Sequence, residues 1–292
     1  MSARVIDGNK IAGEVYLQVE EDIRRLKDKG VTPGLGVILV GNNPASLSYV
    51  KSKEKKCAGV GIYERTVRLS ADASEAEILR TVDECNSDTN IHGVLVQLPL
   101  PRHISPERVV ERISPEKDVD GLHPVNMGRL LKGTPYLLPC TAHGIQRILL
   151  SAGYDTMGKH VVICGRSNIA GRPLAALLLG KGRGANATVT VCHTGTENMA
   201  YFTRQADILV VAMGKPHAIT ADMVKEGVVV IDVGINRVED VSVPGGYRLV
   251  GDVDFQAVSE KAAAITPVPG GVGPMTVAML MYNTVEAANA FF

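Results

Sequence analysis

The sequence lacks an excess of charge of either sign, and it lacks long apolar runs. Lys plus Arg and Asp plus Glu both number 31 among 292 residues, a balance that gives no support to a polyanionic partner or an anionic membrane. No apolar run approaches the roughly 20 residues that span a bilayer. The polar start of the chain contains no signal-peptide core. We therefore expect no nucleic-acid partner and no membrane partner.

Cysteine and histidine are too dispersed for several kinds of site. The five cysteines form no close pair and no Cys-x-x-Cys motif, and the seven histidines show no metal-ligand spacing. Neither a zinc site nor a disulfide framework is indicated, so we expect no metal and a reducing, cytoplasmic location. No Ser/His/Asp arrangement can be argued from the sequence.

The composition is that of an ordinary soluble globular protein, with 45% hydrophobic and 21% charged residues. The length is typical of two domains. Apolar runs alternate with helical patterns along the chain, which favours a mostly parallel sheet with helices on both faces. The predicted strands are Leu35–Val40, Tyr63–Leu69, Gly93–Leu98, His160–Cys164, Thr188–Cys192, Asp207–Val211 and Val228–Asp232.

Helix signals lie between these runs. Apolar residues recur at helical spacing from Ile11 to Leu26. Ser74 and Glu77 form a capping box that opens a helix ending near Cys85. Both patterns are typical of helices that cover a sheet.

The chain centre and the C-terminal region add two further helices. Thr141 is a candidate cap for a helix over His143–Ala152, and we place the domain boundary around that helix. A last, amphipathic helix is predicted from about Thr276 to Ala290. The loop before it, residues 267–274, is so rich in Pro and Gly that we expect no regular structure there.

The first candidate site is the run from Tyr49 to Lys53, which follows a strand and turn-forming residues 41–44. On a helix that begins near Ala45, Tyr49 and Lys53 are four residues apart and share one face. A tyrosine hydroxyl beside a lysine ammonium can lower the pKa of the lysine or orient it for proton transfer. The alternative is a solvated helix face, because four lysines fall within six residues.

The second candidate site lies in Val161–Pro173, where a strand runs into a turn with Gly165, Arg166 and Ser167 and then into a helix. Such a turn directs free backbone N–H groups and the helix dipole at a phosphate. The next glycine is Gly171, so the spacing is not the standard Gly-x-Gly-x-x-Gly. An ordinary strand-to-helix turn is the alternative.

The end of the next strand bears on which dinucleotide is bound. A fold that selects NAD usually has an Asp or Glu there for the ribose hydroxyls. Here the strand ends in His193, Thr194 and Gly195, without an acid. Arg166 and Thr194 are therefore candidates to hold a 2′-phosphate, and NADP is favoured. Asp232–Asn236 closes a further strand at the carboxyl edge of the sheet, where α/β proteins bind ligands.

Two single residues in the first half can carry chemistry. The neutral amide of Gln97, at a strand end, can orient a lysine or a water, and Asp120, in a polar loop, can pair with the N–H groups of a heterocycle. The alternatives are a strand-end cap and a turn residue. The loop 180–186 carries Lys181 and Arg183, but no strand precedes it and we interpret it as a solvent loop.

Six motifs together are similar to those of the bifunctional methylenetetrahydrofolate dehydrogenase/methenyltetrahydrofolate cyclohydrolases. They occur in the family's order over essentially the whole chain, which is far more specific than any one motif. They are Ala45–Lys53, Val96–Pro101, Lys117–Gly121, Gly165–Gly171, Asp232–Asn236 and Pro269–Thr276.

The resemblance implies a homodimeric enzyme with two α/β domains and a cleft between them, the second domain being Rossmann-like. Residues 1–142 with 276–292 would form the folate-binding catalytic domain, and residues 143–275 the NADP-binding domain. The enzyme would oxidise 5,10-methylenetetrahydrofolate with NADP. It would then hydrolyse 5,10-methenyltetrahydrofolate to 10-formyltetrahydrofolate.

The resemblance also implies roles for individual residues. Lys53 would be the catalytic lysine, with Tyr49 and Gln97 as its catalytic partners. The residues that would bind the folate substrate are Tyr49, Asp120, Pro269, Gly270 and Gly271, with Asp120 holding the pterin ring. The residues that would contact the dinucleotide are Gly165, Arg166, Ser167, Thr194 and Ile235.

Three positions depart from the family pattern. Gly195 stands where many relatives place Arg or Lys, which leaves Arg166 as the main candidate for the 2′-phosphate. Ala142 stands where relatives often carry a proline, and residues 180–186 look like an insertion. A family member with one activity or with NAD preference is the alternative within enzymes, and a non-catalytic folate- or nucleotide-binding regulator is the alternative outside them.

Overall fold

A computed structural model of the chain describes residues 2–240, 242–243 and 246–291. Residues 1 and 292, the two ends of the expected first domain, lie outside this part, as does the side chain of Ala45. The chain divides into two compact units. We call Glu14–Cys140 with Val277–Phe292 the first unit, and Met1–Gly13 with Thr141–Thr276 the second unit.

Strands and helices alternate in both halves of the chain. Up to residue 140 the elements are β1 (Arg4–Val5), α1 (Gly8–Asp28), β2 (Gly34–Val40), α2 (Pro44–Val60), β3 (Tyr63–Leu69), α3 (Glu75–Ser87), β4 (Gly93–Val96), α4 (Pro106–Arg112) and α5 (Pro124–Lys132). They continue with α6 (Cys140–Ser151), β5 (His160–Cys164), α7 (Gly171–Leu178), β6 (Thr188–Cys192), α8 (Met199–Thr203), β7 (Ile208–Val211), β8 (Val229–Asp232), β9 (Asn236–Glu239), β10 (Tyr247–Val250), α9 (Phe255–Ser259), β11 (Ala264–Ile265) and α10 (Val272–Ala290).

In the first unit, β2 is the central strand of a three-stranded parallel sheet ordered β3-β2-β4. Every residue of β2 is buried, as its continuous apolar sequence predicts for a strand covered on both faces. From β2 the chain crosses to β3 on one side and later to β4 on the other. The carboxyl end of β2 is therefore a switch point, the place where open α/β sheets bind ligands.

The second unit contains a six-stranded parallel sheet ordered β1-β11-β8-β7-β5-β6. From β5 the chain crosses to β6 on one side and then to β7 on the other, so the carboxyl end of β5 is a second switch point. The antiparallel hairpin β9–β10 follows β8. The α/β fold with a Rossmann-like second half is confirmed.

Most local predictions agree with the structure. Each predicted strand occurs, with its ends within two residues of those predicted. Ser74 caps α3, because its hydroxyl accepts a hydrogen bond from the backbone N–H of Glu77. All five cysteines are buried free thiols.

Among the described residues, no cluster of three His, Cys, Asp or Glu side chains is suited to hold a metal ion. No helix in this part is long and apolar enough to cross a membrane.

Two helix predictions were wrong at their starts. The last helix, α10, begins at Val272 inside the Pro/Gly-rich segment, because Pro274 falls in its first turn, where a missing N–H is tolerated. It is buried on nearly all sides and is not amphipathic. Helix α6 begins at Cys140, so Thr141 lies within the helix and is not its cap.

The first 13 residues group with the second unit, whereas the expected boundary placed them in the first domain. The cause is β1, which pairs in parallel with β11 through Arg4 opposite Ala264 and Val5 opposite Ile265. Both strands contain only two residues, so neither produced a recognisable pattern in the sequence.

Candidate active site and dinucleotide turn

Lys53 and Gln97, predicted separately, are in direct contact. Lys53 lies in α2, and its Nζ donates a 2.8 Å hydrogen bond to Oε1 of Gln97. Gln97 directly follows β4, and its backbone N–H donates to the carbonyl of Ile38 in β2 at 2.9 Å. Its side-chain Nε2 donates to the carbonyl of Leu98 at 2.7 Å, which directs the amide oxygen at Lys53. The sheet thus holds a neutral acceptor against the lysine.

Burial lowers the pKa of Lys53, because desolvation disfavours the ammonium form. The negative charge of Asp120 is the largest influence in the opposite direction. Burial likewise raises the pKa of Asp120, and the nearby Lys53 opposes that rise. A lysine and a carboxyl group that are both shifted toward neutrality, in one place, are typical of sites of proton transfer.

The structure separates Lys53 from the other lysines of α2. Lys53 is partly buried, whereas Lys51, Lys55 and Lys56 are exposed. The ammonium of Lys56 lies 4.7 Å from the ring centroid of Tyr16. The solvated-face alternative therefore describes these three lysines and not Lys53.

The lowered pKa of Lys53 has a different cause from the one that its four-residue spacing from Tyr49 suggested. Tyr49 lies one turn before Lys53 on α2 and is 41% exposed, but burial is the cause of the lowered pKa. Lys51, Lys55 and Lys56 are exposed and are not among the causes of the lowered pKa, because water screens exposed charges. The role of Tyr49 as a partner of Lys53 and of the substrate stays a prediction.

The loop that carries Asp120 is tied down by the residues before it. Lys117 is buried and donates to the backbone carbonyls of Cys85 and Asp88 at 3.3 and 2.9 Å. The buried carboxylate of Asp118 accepts hydrogen bonds from the backbone N–H groups of Leu122 and His123 and from the side chain of Asn126. These bonds hold the loop and leave the side chain of Asp120 to interact with Lys53.

The turn after β5 requires its two glycines. Gly165 has a φ of 129°, and a Cβ there would lie 2.2 Å from the carbonyl oxygen of Ala212. A Cβ on Gly171 would lie 2.0 Å from the carbonyl oxygen of Gly165. The hydroxyl of Ser167 accepts a hydrogen bond from the backbone N–H of Ala170 at 3.2 Å. The unusual glycine spacing therefore closes a tight turn before α7.

The chemistry of this turn fits a dinucleotide phosphate. Residues 166–169 are exposed, and their backbone N–H groups donate no hydrogen bond within the described ranges. Arg166 forms no ion pair with any of the residues that the structure describes. Cys164 and Cys192 are paired in register at the ends of β5 and β6, so the turn and the exposed Thr194 follow neighbouring strand ends.

The remaining predicted residues lie in the second unit. The backbone N–H of Gly8 donates to the carbonyl of Gly270 at 2.8 Å, and a Cβ on Gly8 would lie 1.8 Å from the carbonyl oxygen of Gly271. Pro269 is exposed beside this contact. Ile235 is 46% exposed in the turn after β8. Their contacts with folate and dinucleotide stay predictions.

Sequence reasoning missed a pair of buried carboxylates in the second unit. Asp252 is 0% exposed and Asp232 is 3% exposed. Burial raises the pKa of Asp232 to about 6, and three backbone N–H donors oppose the rise. The two acids are far apart in sequence, and no local pattern connects them. The sequence offered one signal, namely that each acid adjoins or nearly adjoins a glycine.

Two family models match the chain. One is the catalytic domain of tetrahydrofolate dehydrogenase/cyclohydrolase, over residues 6–120, and the other is the NAD(P)-binding domain of the same family, over residues 139–292. The chain belongs to the tetrahydrofolate dehydrogenase/cyclohydrolase family. Lys53, Gln97 and Asp120 fall within the catalytic-domain match, and the Gly165–Gly171 turn falls within the NAD(P)-binding match.

Known members of the family are similar over their whole length. The bifunctional protein FolD of Moorella thermoacetica is 54% identical over 288 residues, covering 99% of each chain. The crystal structure of the bifunctional FolD enzyme from Campylobacter jejuni has a TM-score of 0.94 at 46% identity and covers 100% of both chains. The Trypanosoma brucei FolD structure, complexed with NADP and an inhibitor, has a TM-score of 0.94 at 41% identity and covers 100% of this chain and 99% of its own.

The negative charge of Asp120 is expected to keep the pKa of Lys53 from falling further. Asp120→Asn removes the carboxylate that opposes desolvation, so the pKa of Lys53 should fall further. A pH titration of the lysine side-chain signals by NMR measures this change. Asp72→Asn, at an exposed carboxylate of the same unit, is the matched control and should leave the Lys53 signal in place. An unchanged or higher Lys53 pKa in Asp120→Asn would contradict the assignment.

Proposed function

We propose that this protein oxidises 5,10-methylenetetrahydrofolate with NADP and hydrolyses 5,10-methenyltetrahydrofolate to 10-formyltetrahydrofolate. The observation that carries the proposal is the 2.8 Å contact between Lys53 and Gln97, beside Asp120, within a family catalytic domain. The phosphate-type turn of the second unit supports the dehydrogenase half. The T. brucei relative in its complex with NADP supports that cofactor.

The oxidation depends mainly on positioning. NADP, when bound, supplies the acceptor for the hydride that leaves the methylene carbon. We assign Asp120 to the pterin N–H groups and Tyr49 with the 269–271 loop to the folate. Arg166, Ser167, Thr194 and Ile235 are assigned to the dinucleotide. Oxidation leaves an amidinium-like cation, with the carbon between two nitrogens.

The hydrolysis needs proton transfer at that same carbon. A water adds to the methenyl carbon, forming a C–O bond and releasing one proton. The bond from the carbon to N5 then breaks as the new hydroxyl loses its proton and becomes the formyl carbonyl. N5 takes up a proton and the formyl group stays on N10, so one proton is released overall. Burial lowers the pKa of Lys53 and so favours its neutral form more than in an exposed lysine, which suits Lys53 to accept the first proton and deliver one to N5. Gln97 holds its Nζ in place through Oε1.

Lys53→Ala should abolish most hydrolysis. General acid–base catalysis contributes about 10²- to 10⁴-fold, so cyclohydrolase kcat should fall by roughly that factor. The affinity for NADP should stay near that of the wild-type protein, because the dinucleotide turn belongs to the other unit. The decay of methenyltetrahydrofolate, followed without NADP, measures the loss, and calorimetry measures NADP binding.

Lys51→Ala is the matched control, since it removes an exposed lysine from the same helix. It should hydrolyse at the wild-type rate. Full cyclohydrolase activity in Lys53→Ala would refute the catalytic assignment. Binding of folate by the wild-type protein without either turnover would instead favour the non-catalytic regulator, and turnover in only one assay would favour the monofunctional alternative.

We propose that Arg166 provides most of the preference for NADP. It is an exposed guanidinium in the phosphate turn, and Gly195 adds no charge at the end of β6. Arg166→Ala should raise the NADP dissociation constant about 10-fold or more, because a charged hydrogen bond is lost, with little effect on NAD. Calorimetric titration with each dinucleotide measures the difference.

Two further variants sharpen this test. Arg183→Ala, at an exposed arginine of the solvent loop 180–186, should leave NADP affinity unchanged. Gly195→Arg should tighten NADP binding. A Cβ at Gly195 meets only the ring of His193, at 3.3 Å, so the substitution needs little rearrangement. Equal losses of NADP and NAD affinity in Arg166→Ala would mean that the Arg166 side chain does not bind the 2′-phosphate.

We also propose a cytoplasmic homodimer. The five free, buried thiols suit a reducing compartment. Strand β6 lies at an edge of the sheet, carries no charged residue and leaves Val191 36% exposed, which makes the edge suited to pair with a second copy. Light scattering should give a mass of twice 31.1 kDa. A single-chain mass at micromolar concentration would count against the dimer.

A further inference from the structure

The carboxylate of Asp252 gathers four hydrogen-bond donors from two separate segments. Three are the successive backbone N–H groups of Met213, Gly214 and Lys215, which follow β7. The fourth is the side-chain amide of Asn236, at the start of β9. The four distances are 2.5 to 2.9 Å. A fully buried carboxylate is therefore satisfied entirely by fixed donors.

Asp232 extends this cluster by accepting backbone N–H groups from the segment that carries Asp252. Its carboxylate accepts the backbone N–H groups of Gly234, Asp252 and Val253 at 2.9 to 3.0 Å. Two glycines allow the approach. A Cβ on Gly234 would lie 2.3 Å from the Asp252 carboxylate, and a Cβ on Gly251 would lie 1.8 Å from Oδ2 of Asp232. The turns after β7, β8 and β10 are thereby bonded into one block.

This block directly supports the dinucleotide turn. The backbone N–H of Ala212, the residue before the three donors, donates to the carbonyl of Cys164 at 2.7 Å. The carbonyl oxygen of Ala212 fills the space that a Cβ on Gly165 would need. In the turn after β8, Asp232 accepts a hydrogen bond from the backbone N–H of Gly234, the residue before Ile235. The two acids thus fix both the support of Gly165 and the turn that carries Ile235.

We propose that Asp252, backed by Asp232, is a positioning residue for NADP, holding the turns after β7 and β8 in the geometry that binds the dinucleotide. The inference rests on the proposed function. Asp252 does not touch the cofactor in this proposal. It acts through the backbone of Met213–Lys215 and through Asn236. The local sequence around Asp252 offers only the adjoining Gly251 as a signal, because the donors of Asp252 lie 16 to 39 residues away.

The test is Asp252→Asn, which keeps the shape but replaces one acceptor oxygen with an N–H donor that faces other donors. The NADP dissociation constant, measured by calorimetry, should rise about 10-fold or more. In the dehydrogenase assay, KM for NADP should rise more than kcat falls. Hydrogen exchange should show faster exchange at the amides of residues 213–215.

Asp254→Asn is the matched control. Asp254 caps α9 through the N–H of Ala257, a role that Asn fills equally well, so NADP affinity should not change. If Asp252→Asn does not fold, Asn236→Ala carries the test. It removes one donor, and it should raise the NADP dissociation constant about threefold or more.

Three results would overturn the proposal. A lower stability to urea with wild-type NADP affinity, in either variant, would show that the cluster serves the fold alone. Absence of NADP binding by the wild-type protein would overturn the proposed function, and this inference with it. Unchanged affinity in the variants, with normal binding by the wild-type protein, would overturn the inference alone.

Discussion

Parallel pairing around a central strand is the constraint on which both units depend. Strand β2 has β3 and β4 on its two sides, and β5 has β6 and β7. Because parallel strands end at the same edge, residues that follow different strands meet there. Gln97 follows β4 and reaches Lys53 on the helix after β2. Arg166 and Thr194 likewise follow neighbouring strands. The backbone ladders, more than any side chain, bring the candidate sites together.

The buried charges fall into two groups that differ in how fully they are compensated. Asp252 has four donors and Asp118 has three, so each holds a loop in one geometry. Lys53 has one neutral acceptor, and burial lowers its pKa. An ion that is incompletely compensated changes protonation readily, which suits proton transfer. A buried carboxylate whose charge is fully compensated by hydrogen-bond donors suits a supporting role. The same difference separates Lys53, the proposed proton-transfer group, from the loop-holding Asp118 and Asp252.

The fold was largely predictable wherever a short segment contained a local signal for a strand or a helix. Continuous apolar runs marked the strands, and the hydroxyl of Ser74 marked the start of α3. The failures have physical causes. Strands β1 and β11 contain two residues each and are too short for any periodicity. Helix α10 begins among Gly and Pro because the first turn of a helix tolerates both, so the breaker residues concealed its start.

The residues of the candidate site could be predicted from the sequence, but the physical causes of their pKa shifts and of their support could not. The four-residue step from Tyr49 singled out Lys53, yet burial and not the tyrosine lowers its pKa. Burial depends on how the whole first unit packs, and no local spacing encodes it. The same holds for Asp252, whose partners come from distant segments. Spacing can nominate a reactive side chain, whereas its protonation state and its support depend on packing. For that reason the glycines at 165, 234 and 251 are informative, since each marks where a distant group must approach the backbone.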